Sequence, residues 1–553
     1  MSTVMNGSAG VASSGGLLSK ERTIAGPGFN RWQIAPAALA IHLCIGMAYG
    51  LSTFWLPLSK AIGIKAALAC PAGTGFFDEL FVTSCDWKVA TLNWMFTLAI
   101  VILGVSAALW GGWLEHVGPR KAGVVAAVCW SGGLAIAALG VQVHQFWIML
   151  LGGGLIGGVG LGLGYISPVS TLIKWFPDKR GMATGIAIMG FGGGAMVGSP
   201  LATLLMKNFA SATSVGVAQT LLVLAAAYLV WMLFGAMQYR VPPAGWKPEG
   251  WTPPVAQDNA MMTRGHVHVG RIWGIPQFWL VWIVLCMNVS AGIGILSMGS
   301  PMLQEVFGGQ LIGVDKHFSE LDKGQLTQIA AIGGSFLALL SLFNIGGRFF
   351  WASMSDKLGR KTTYTIFFIL GGLLYASVPA SAGAGSKVAF VAAFCVILSM
   401  YGGGFATVPA YLSDLFGTQM VGAIHGRLLT AWSVAGALGP IVVANMRQAQ
   451  LDAGVPHQSV YNNTMYILVA MLAVGLVANL LVKPINEKWF MTDEELAEER
   501  RIAHERAASN EVAGVGEANN GNPLVGAIAW IAVGAPLAWG LYMALNSVSK
   551  FFH

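Results

Sequence analysis

The stretch FNIGGRFFWASMSDKLGRK, residues 343–361, begins in an apolar segment and ends in a basic turn. Arg348 precedes Asp356 by eight residues. At 1.5 Å per residue of helix, Arg348 lies ~12 Å inside the membrane surface, near the middle of a hydrocarbon core whose half-thickness is ~15 Å. An arginine at that depth costs ~2.5–3.5 kcal/mol on insertion scales and therefore faces the protein interior. The stretch predicts a membrane-spanning helix with a buried cation.

The composition of the chain agrees with a membrane protein. Of its 553 residues, 55% are hydrophobic and only 10% are charged, whereas soluble domains carry about 25% charged residues. The net charge of +7 is spread over short connections between apolar runs, so it forms no basic face for nucleic acid. The sequence contains no pairing of nucleophile and base, no metal-ligand cluster and no phosphate loop. We therefore expect no enzyme, no cofactor and no metal site.

Twelve apolar runs are long enough to cross a bilayer. They lie at 32–58, 89–113, 122–143, 146–173, 182–206, 215–239, 274–302, 325–355, 362–382, 386–413, 423–446 and 464–482. A further run at 522–549 predicts an extra C-terminal span. The connections at 116–121, 174–181 and 357–361 are basic, which places them in the cytoplasm by the positive-inside rule.

The two halves of the chain repeat each other. Glu115 and Gly118 recur as Asp356 and Gly359, at an offset of 241 residues. Six spans in each copy make the repeats parallel, an architecture typical of transporters. The predicted organisation is a disordered cytoplasmic tail (1–30), a six-helix half (31–239), a cytoplasmic linker (240–272), a second six-helix half (273–485), a charged cytoplasmic helix and linker (486–521) and a thirteenth helix (522–549).

GGWLEHVGPRK at 111–121 and ASMSDKLGRK at 352–361 resemble the two copies of the loop signature of the major facilitator superfamily. The second copy departs from the pattern, with Ala352 where glycine is expected. An acid that pairs with basic groups of a neighbouring helix end in one conformation and releases them in another can gate transport. The resemblance implies such a role for Glu115, Gly118, Arg120, Lys121, Asp356, Gly359, Arg360 and Lys361.

Three further motifs resemble the oxalate/formate antiporter family within this superfamily, which is related to the monocarboxylate transporters. They are LGYISPVSTLIKWFPDKRG (163–181), YGGGFATVPAYLSDLFG (401–417) and GRLLTAWSVAGALGP (426–440). In the family's oxalate exchanger, a lysine of the eleventh span joins the arginine of the eighth. Here Trp432 stands at the position of that lysine. One buried cation balances one carboxylate, so the resemblance implies a small monocarboxylate, such as formate, lactate or pyruvate, ahead of oxalate.

The candidate substrate site is centred on Arg348. No Asp or Glu is expected at comparable depth in any span, so a substrate carboxylate is the simplest partner for the bidentate guanidinium fork. Asn344 lies four residues earlier, on the same helix face. The resemblance adds aromatic candidates, Tyr165 and Tyr401 as hydroxyl donors and Trp432 as an apolar wall. Snorkelling, or pairing with backbone carbonyls and water, remains the structural alternative for Arg348.

Two other features carry hypotheses. His42 lies deep in the first span and is a candidate proton carrier if transport is proton-coupled; a satisfied structural hydrogen bond is the alternative. Cys70 and Cys85 share the loop after the first span. A disulfide between them is favoured if that loop faces an oxidising periplasm.

The resulting expectation is a multi-pass protein of the bacterial cytoplasmic (inner) membrane. It would move a small carboxylate by alternating access, through exchange or proton symport, as a monomer whose partners are the substrate and the bilayer. The alternatives are a drug or metabolite efflux carrier of the same fold and a non-transport membrane receptor.

Overall fold

The structure, a computed structural model, describes residues 17–26, 28–64, 66–176, 180–243, 246–250, 263, 265–417, 419–499, 501 and 523–552. Within these ranges the regular structure is helical, apart from isolated bridges that pair Ile24 with Val241 and Val267 with Phe490. Among the described residues, thirteen helices are long and apolar enough to cross a membrane. The all-α prediction is therefore confirmed. Most of the predicted N-terminal tail, and 502–521 of the charged segment, lie outside the described residues.

The first half of the chain supplies six spanning helices. They are α1 (Arg31–Leu58), α2 (Val89–Val117), α3 (Pro119–Gln142), α4 (from Phe146 to Trp175), α5 (Arg180–Phe209) and α6 (Val217–Met237). The middle of α1, Gly46–Phe54, is wound as a 3-10 helix. A Cβ on Gly46 would lie 2.3 Å from the carbonyl oxygen of Phe191. Glycine is thus required where the backbones of α1 and α5 meet.

The second half supplies six more spans and is followed by a thirteenth. They are α7 (Pro276–Phe307), α8 (Lys323–Leu358), α9 (Arg360–Gly383), α10 (Lys387–Phe416), α11 (from Val421 to Asp452), α12 (Asn462–Leu481) and α13 (Pro523–Phe552). Asp322 caps α8 through a capping box with Gln325, which satisfies N–H groups that the first turn would leave unpaired.

Side chains of the two halves interlock along their shared interface. The indole of Trp55 donates to the carbonyl of Ser297 at 2.9 Å, which joins α1 to α7. The hydroxyl of Ser433 donates to the carbonyl of Val101 at 3.0 Å, which joins α11 to α2. Helices α5 and α8 also pack against each other. The halves therefore enclose the central region between them.

The thirteenth helix lies against both halves. Val533 packs with Leu39 and Leu43 of α1, and Ala544 packs with Met196 of α5 and Ala338 of α8. Small residues face the bundle, and a Cβ on Gly540 would lie 2.9 Å from the carbonyl of Met196. Large apolar residues such as Ile531, Tyr542 and Leu545 are exposed, as expected for side chains that face lipid.

One sequence expectation is wrong. The seventh span was expected to end at 302, with Glu305 in a loop, and no buried carboxylate was expected. Helix α7 instead continues to Phe307, and Glu305 is only 1% exposed. Its carboxylate accepts from the Arg447 guanidinium, with one contact at 2.8 Å, and from the Tyr461 hydroxyl at 2.7 Å. Because these partners balance its charge, Glu305 can be buried without serving Arg348.

Candidate functional site

Arg348 is buried in the C-terminal third of α8, ten residues before the helix ends at Leu358, and is only 1% exposed. Its Nε donates to the Oδ1 of Asn344 at 3.2 Å, across one helical turn. Because the acceptor oxygen of Asn344 faces the guanidinium, the amide NH2 points elsewhere. Among the described residues, neither Nη1 of Arg348 nor Nδ2 of Asn344 has a hydrogen-bond partner. The pair therefore presents buried donors whose acceptor is missing.

Aromatic rings surround this pair. The guanidinium carbon of Arg348 lies 5.6 Å from the ring centroid of Phe405, and Phe405 lies 4.6 Å from Trp432. Tyr165 packs edge-on against Trp432 at 5.0 Å. The indole Nε1 of Trp432 is a further buried donor without a partner in the described part of the chain. The structure thus brings the predicted Tyr165 and Trp432 into one cluster that reaches Arg348 through Phe405.

The predicted Tyr401 belongs to the same cluster. Its hydrogen-bond partner, Tyr49, was not predicted from the sequence. The hydroxyl groups of Tyr401 on α10 and Tyr49 on α1 are 2.6 Å apart. Tyr401 packs edge-on against Phe405 at 5.3 Å, and Phe405 faces the guanidinium of Arg348. Nothing in the sequence indicated Tyr49, because its partner comes from a distant helix and because the 3-10 segment Gly46–Phe54 changes which residues of α1 share a face.

His42 is fully buried on α1. Its Nε2 donates to the backbone carbonyl of Tyr165 at 3.2 Å, and the His42 and Tyr165 rings are 5.6 Å apart. The imidazole therefore borders the aromatic cluster. One ring nitrogen serves a structural hydrogen bond that orients Tyr165.

The first gating signature surrounds the turn between α2 and α3. Gly118 has φ = +82°, a conformation that glycine adopts without strain. The guanidinium of Arg120 donates to the carbonyls of Leu17 at 2.9 Å and Tyr239 at 3.4 Å, which ties the turn to the end of α6. Lys121 is exposed. The side chain of Glu115 lies outside what the structure describes.

The second gating signature makes an ion-pair network. Arg360 contacts the carboxylate of Asp356 at 2.5 Å and that of Asp414, at the end of α10, at 3.4 Å. Lys361 donates to the carbonyls of Leu480 and Val482, both at 2.8 Å. Gly359 has φ = +84°, matching Gly118. The turn after α8 is therefore fastened to α10 and α12 in this conformation.

Cys70 and Cys85 are joined by a disulfide, with Cα atoms 5.0 Å apart. It closes the loop between α1 and α2, at the end of the bundle opposite the gating signatures. The other four cysteines are free thiols.

The site offers one buried cation, the unpaired amide donor of Asn344 on the same helix, and an aromatic cluster that contains the unpaired indole donor of Trp432. A single carboxylate matches this set, because it supplies both the negative charge and the missing acceptors. Among the described residues, no group of three or more His, Cys, Asp or Glu side chains could hold a metal ion.

Comparison with known proteins agrees with this architecture. The model of the Major Facilitator Superfamily matches residues 38–440. The chain is 25% identical over 421 residues to an oxalate:formate antiporter of Oxalobacter formigenes, covering 75% of this chain and 86% of the relative. It is 24% identical over 459 residues to apicoplast pyruvate carrier 1 of Toxoplasma gondii, covering 72% and 80%.

A third relative and a solved structure extend the comparison. Monocarboxylate transporter 13 of Rattus norvegicus is 22% identical over 136 residues, covering 25% of this chain and 31% of the relative. The crystal structure of a D-xylose-proton symporter superposes with a TM-score of 0.58 at 13% identity, covering 83% of this chain and 98% of that one. At that identity, the superposition shows the shared fold alone.

Proposed function

The chain belongs to the Major Facilitator Superfamily, whose model covers most of its spanning helices, and from that premise we propose that it carries a small monocarboxylate across the membrane by alternating access. Arg348 is the proposed anion-binding group. Asn344, Tyr165, Tyr401 and Trp432 are the proposed neighbours of the substrate, and α1–α6 and α7–α12 are the proposed moving halves.

One observation carries this proposal: the guanidinium of Arg348 is buried with no carboxylate beside it in the described part of the chain. Removing a charge from water costs several kcal/mol unless a partner compensates. Glu305, the buried carboxylate of the spanning helices, is occupied by Arg447 and Tyr461. A substrate carboxylate would compensate Arg348 and fill the donors of Asn344 and Trp432.

Alternating access follows from the same electrostatics. The substrate neutralises Arg348, which lowers the cost of enclosing the charge while the halves rearrange. An empty carrier keeps an uncompensated buried cation, so its return is slow. Exchange of one carboxylate for another is the expected mode, and two of the relatives are named for carrying carboxylates.

The preference for a monocarboxylate rests on charge balance. The cluster around Arg348 contains aromatic and amide side chains, and Trp432 packs among Tyr165, Phe191 and Phe405. A second carboxylate of oxalate would enter this apolar wall without a cation to pair it, a costly burial. We further propose that the protein acts as a monomer in a bacterial cytoplasmic membrane, with the basic loops inside.

The test uses purified full-length protein and a panel of formate, lactate, pyruvate and oxalate. Binding raises thermal stability in proportion to occupancy, so a monocarboxylate should raise Tm more than oxalate at equal concentration. Uptake into proteoliposomes preloaded with unlabelled substrate should rank the panel in the same order. The shift and the uptake should both disappear in Arg348→Ala and weaken in Arg348→Lys, which lacks the bidentate fork.

The matched control is Ser335→Ala on the same helix. Its hydroxyl donates only to the carbonyl of Ala331 among the described residues, so the substrate response should stay at the wild-type level. Uptake of every carboxylate by folded Arg348→Ala would defeat the proposal, and oxalate as the strongest ligand would reverse the ranking.

A further inference from the structure

A cavity with a largely apolar lining and three lysines lies between the halves, at the end of the bundle opposite the basic loops. It has a volume of about 160 Å³, smaller than the ~300–1,000 Å³ of pockets that hold drug-sized ligands. The ends of α1, α5, α7 and α8 line it, so both halves contribute to its walls. A cavity of this size suits an anion of a few atoms.

Three lysines line this cavity. Lys60 follows α1, Lys207 lies near the end of α5 and Lys323 begins α8. No Asp or Glu is among the lining residues, and within the described ranges none of the three ammonium groups has a carboxylate within ion-pair distance. The neighbouring Asp322 accepts from the backbone N–H of Gln325 as the N-cap of α8 and is exposed. The lining of the cavity is therefore positively charged, with no ion pair to its lysines among the described residues.

A rigid loop holds Lys60 at the rim. The carboxylate of Asp86 accepts from the backbone N–H groups of Ile62 at 2.6 Å, Gly63 at 3.0 Å and Leu68 at 2.8 Å. The Cys70–Cys85 disulfide closes the same loop. Burial lowers the pKa of the Lys60 ammonium, so an anion beside it would offset that desolvation.

One helix that lines the cavity also reaches the central site. Thr203 and Gln304 contribute polar groups to the cavity lining. Helix α1 continues inward from Leu56 at the cavity wall to Tyr49, the partner of Tyr401, a rise of ~13 Å because most of this stretch is a 3-10 helix that rises ~2.0 Å per residue. The two sites thus lie along one helix on the interface that rearranges.

We propose that this cavity, the lysine vestibule defined by Lys60, Lys207 and Lys323, captures the small carboxylate from the outer solution before it reaches Arg348. The inference rests on the proposed function and adds a second anion site. Charged walls around a low-dielectric cleft raise the local concentration of an oppositely charged ligand and its association rate, by ~10-fold or more at low salt. The vestibule is expected to act on the steps in which the carboxylate enters from, or leaves to, the solution at this face.

The first experiment measures the charge of the vestibule without relying on transport. Thr327 lines the cavity and is exposed, so Thr327→Cys can be labelled with anionic and cationic methanethiosulfonates of similar size. The ratio of the anionic to the cationic labelling rate should be several-fold higher at Thr327→Cys than at Ala453→Cys. Ala453 is an exposed position on the same face, outside the cavity. Lys60→Gln, Lys207→Gln and Lys323→Gln together should abolish this bias, whereas Lys316→Gln should leave it unchanged.

Protection by substrate separates the two anion sites. Formate, lactate or pyruvate should slow labelling of Thr327→Cys, and should still do so when Arg348→Ala is present. No bias in reagent rates, or protection that vanishes with Arg348→Ala, would overturn the vestibule.

The second experiment measures entry in proteoliposomes of known orientation, with whichever of labelled formate, lactate or pyruvate the wild type carries fastest. The triple lysine variant should show a KM for entry raised roughly 5- to 10-fold, a kcat for entry near wild type and a weaker dependence on salt. Because the substitutions cannot change the equilibrium of the transported anion, kcat/KM for exit should fall by the same factor. An unaltered KM and salt dependence would refute the vestibule while the carrier function stands. Absence of wild-type uptake of all three would instead refute the proposed function.

An anionic lipid headgroup could also engage the lysines. Membranes made only of zwitterionic phosphatidylcholine, and membranes containing phosphatidylglycerol, distinguish the two sources. The effect of the triple variant on KM should persist in phosphatidylcholine alone. An effect confined to phosphatidylglycerol would assign the lysines to lipid and overturn carboxylate capture.

Discussion

The hydroxyl oxygens of Tyr49 and Tyr401 lie 2.6 Å apart, so one hydrogen bond joins α1 of the first half to α10 of the second. Both side chains are buried, and Tyr401 packs against Phe405, the ring that faces the guanidinium of Arg348. A rearrangement that opens the space around Arg348 between α1 and α10 has to break this bond or replace it. A substrate carboxylate can supply the replacement acceptor.

We expect Tyr49→Phe and Tyr401→Phe to act on the same interaction. Each removes the same hydrogen bond, worth about 0.5–1.5 kcal/mol. Each variant should therefore lower the Tm of the substrate-free protein, and the two decreases should be similar. The double variant should be little worse than either single variant, because neighbouring sites are not additive. Thermal unfolding of the four proteins in detergent measures the coupling. Strictly additive effects would show that the hydroxyls do not interact.

Trp432→Lys should shift selectivity toward oxalate. The substitution places a second cation in the cluster that contains Tyr165 and Phe405, and two cations balance two carboxylates. The ratio of oxalate to formate uptake should rise by about tenfold, the equivalent of about 1.4 kcal/mol. Trp432→Leu is the control, because it removes the indole without adding charge and should lower uptake of both anions. An equal ratio in the Lys and Leu variants would contradict the charge-balance explanation.

The Glu305–Arg447 ion pair should be strongly coupled. Glu305→Gln leaves the buried Arg447 guanidinium, which is 5% exposed, without its countercharge. Breaking a buried pair in this way costs about 3–5 kcal/mol, so a large drop in Tm is expected. The double variant Glu305→Gln, Arg447→Met should recover much of the loss, because no unpaired charge remains. A double variant less stable than either single variant would argue against this account.

The loop that contains the disulfide should weaken in acid through His144. Its ring stacks on Trp87 at 3.8 Å, its Nε2 donates to the carbonyl of Cys85 at 2.9 Å, and burial lowers its pKa. Below a pH of about 6.5, the unfolded state gains a proton that the folded state resists. Stability should therefore be constant above that pH and fall as pH decreases below it.

The measurement is Tm in detergent between pH 8 and pH 5, for wild type and His144→Gln. The variant should show a smaller loss in acid, whereas His317→Gln, a histidine bonded to Gln458 on the same face, should match wild type. A His144→Gln profile superimposable on wild type would show that this imidazole does not govern the acid response.

Much of the fold was predictable because the bilayer imposes a simple rule. Every backbone polar group must be satisfied within the span, so uninterrupted apolar runs identified the thirteen helices. The spacing of Asn344 and Arg348 within one helix likewise predicted their contact, since residues four apart share a face.

Contacts between helices that lie far apart in the sequence were harder to predict. Glu305 and Arg447 are 142 residues apart, and each lies at or beyond the end of an apolar run. Counting hydrophobic residues places such charges in loops, because the count takes no account of a partner on another helix that neutralises them. Tyr49 was missed for a related reason: nothing in the sequence of α1 shows that α10 presents Tyr401 opposite to it.

The thirteenth helix touches α1 and α5 through Val533 and Gly540 and touches α8 through Ala544. It therefore crosses the interface between the two halves, which are proposed to move relative to each other. If the angle between the two halves changes, at least one half must slide along the thirteenth helix. Apart from Val533 and Leu537, the residues on its inner surface are mainly glycine and alanine, so few large side chains would have to pass each other during such sliding.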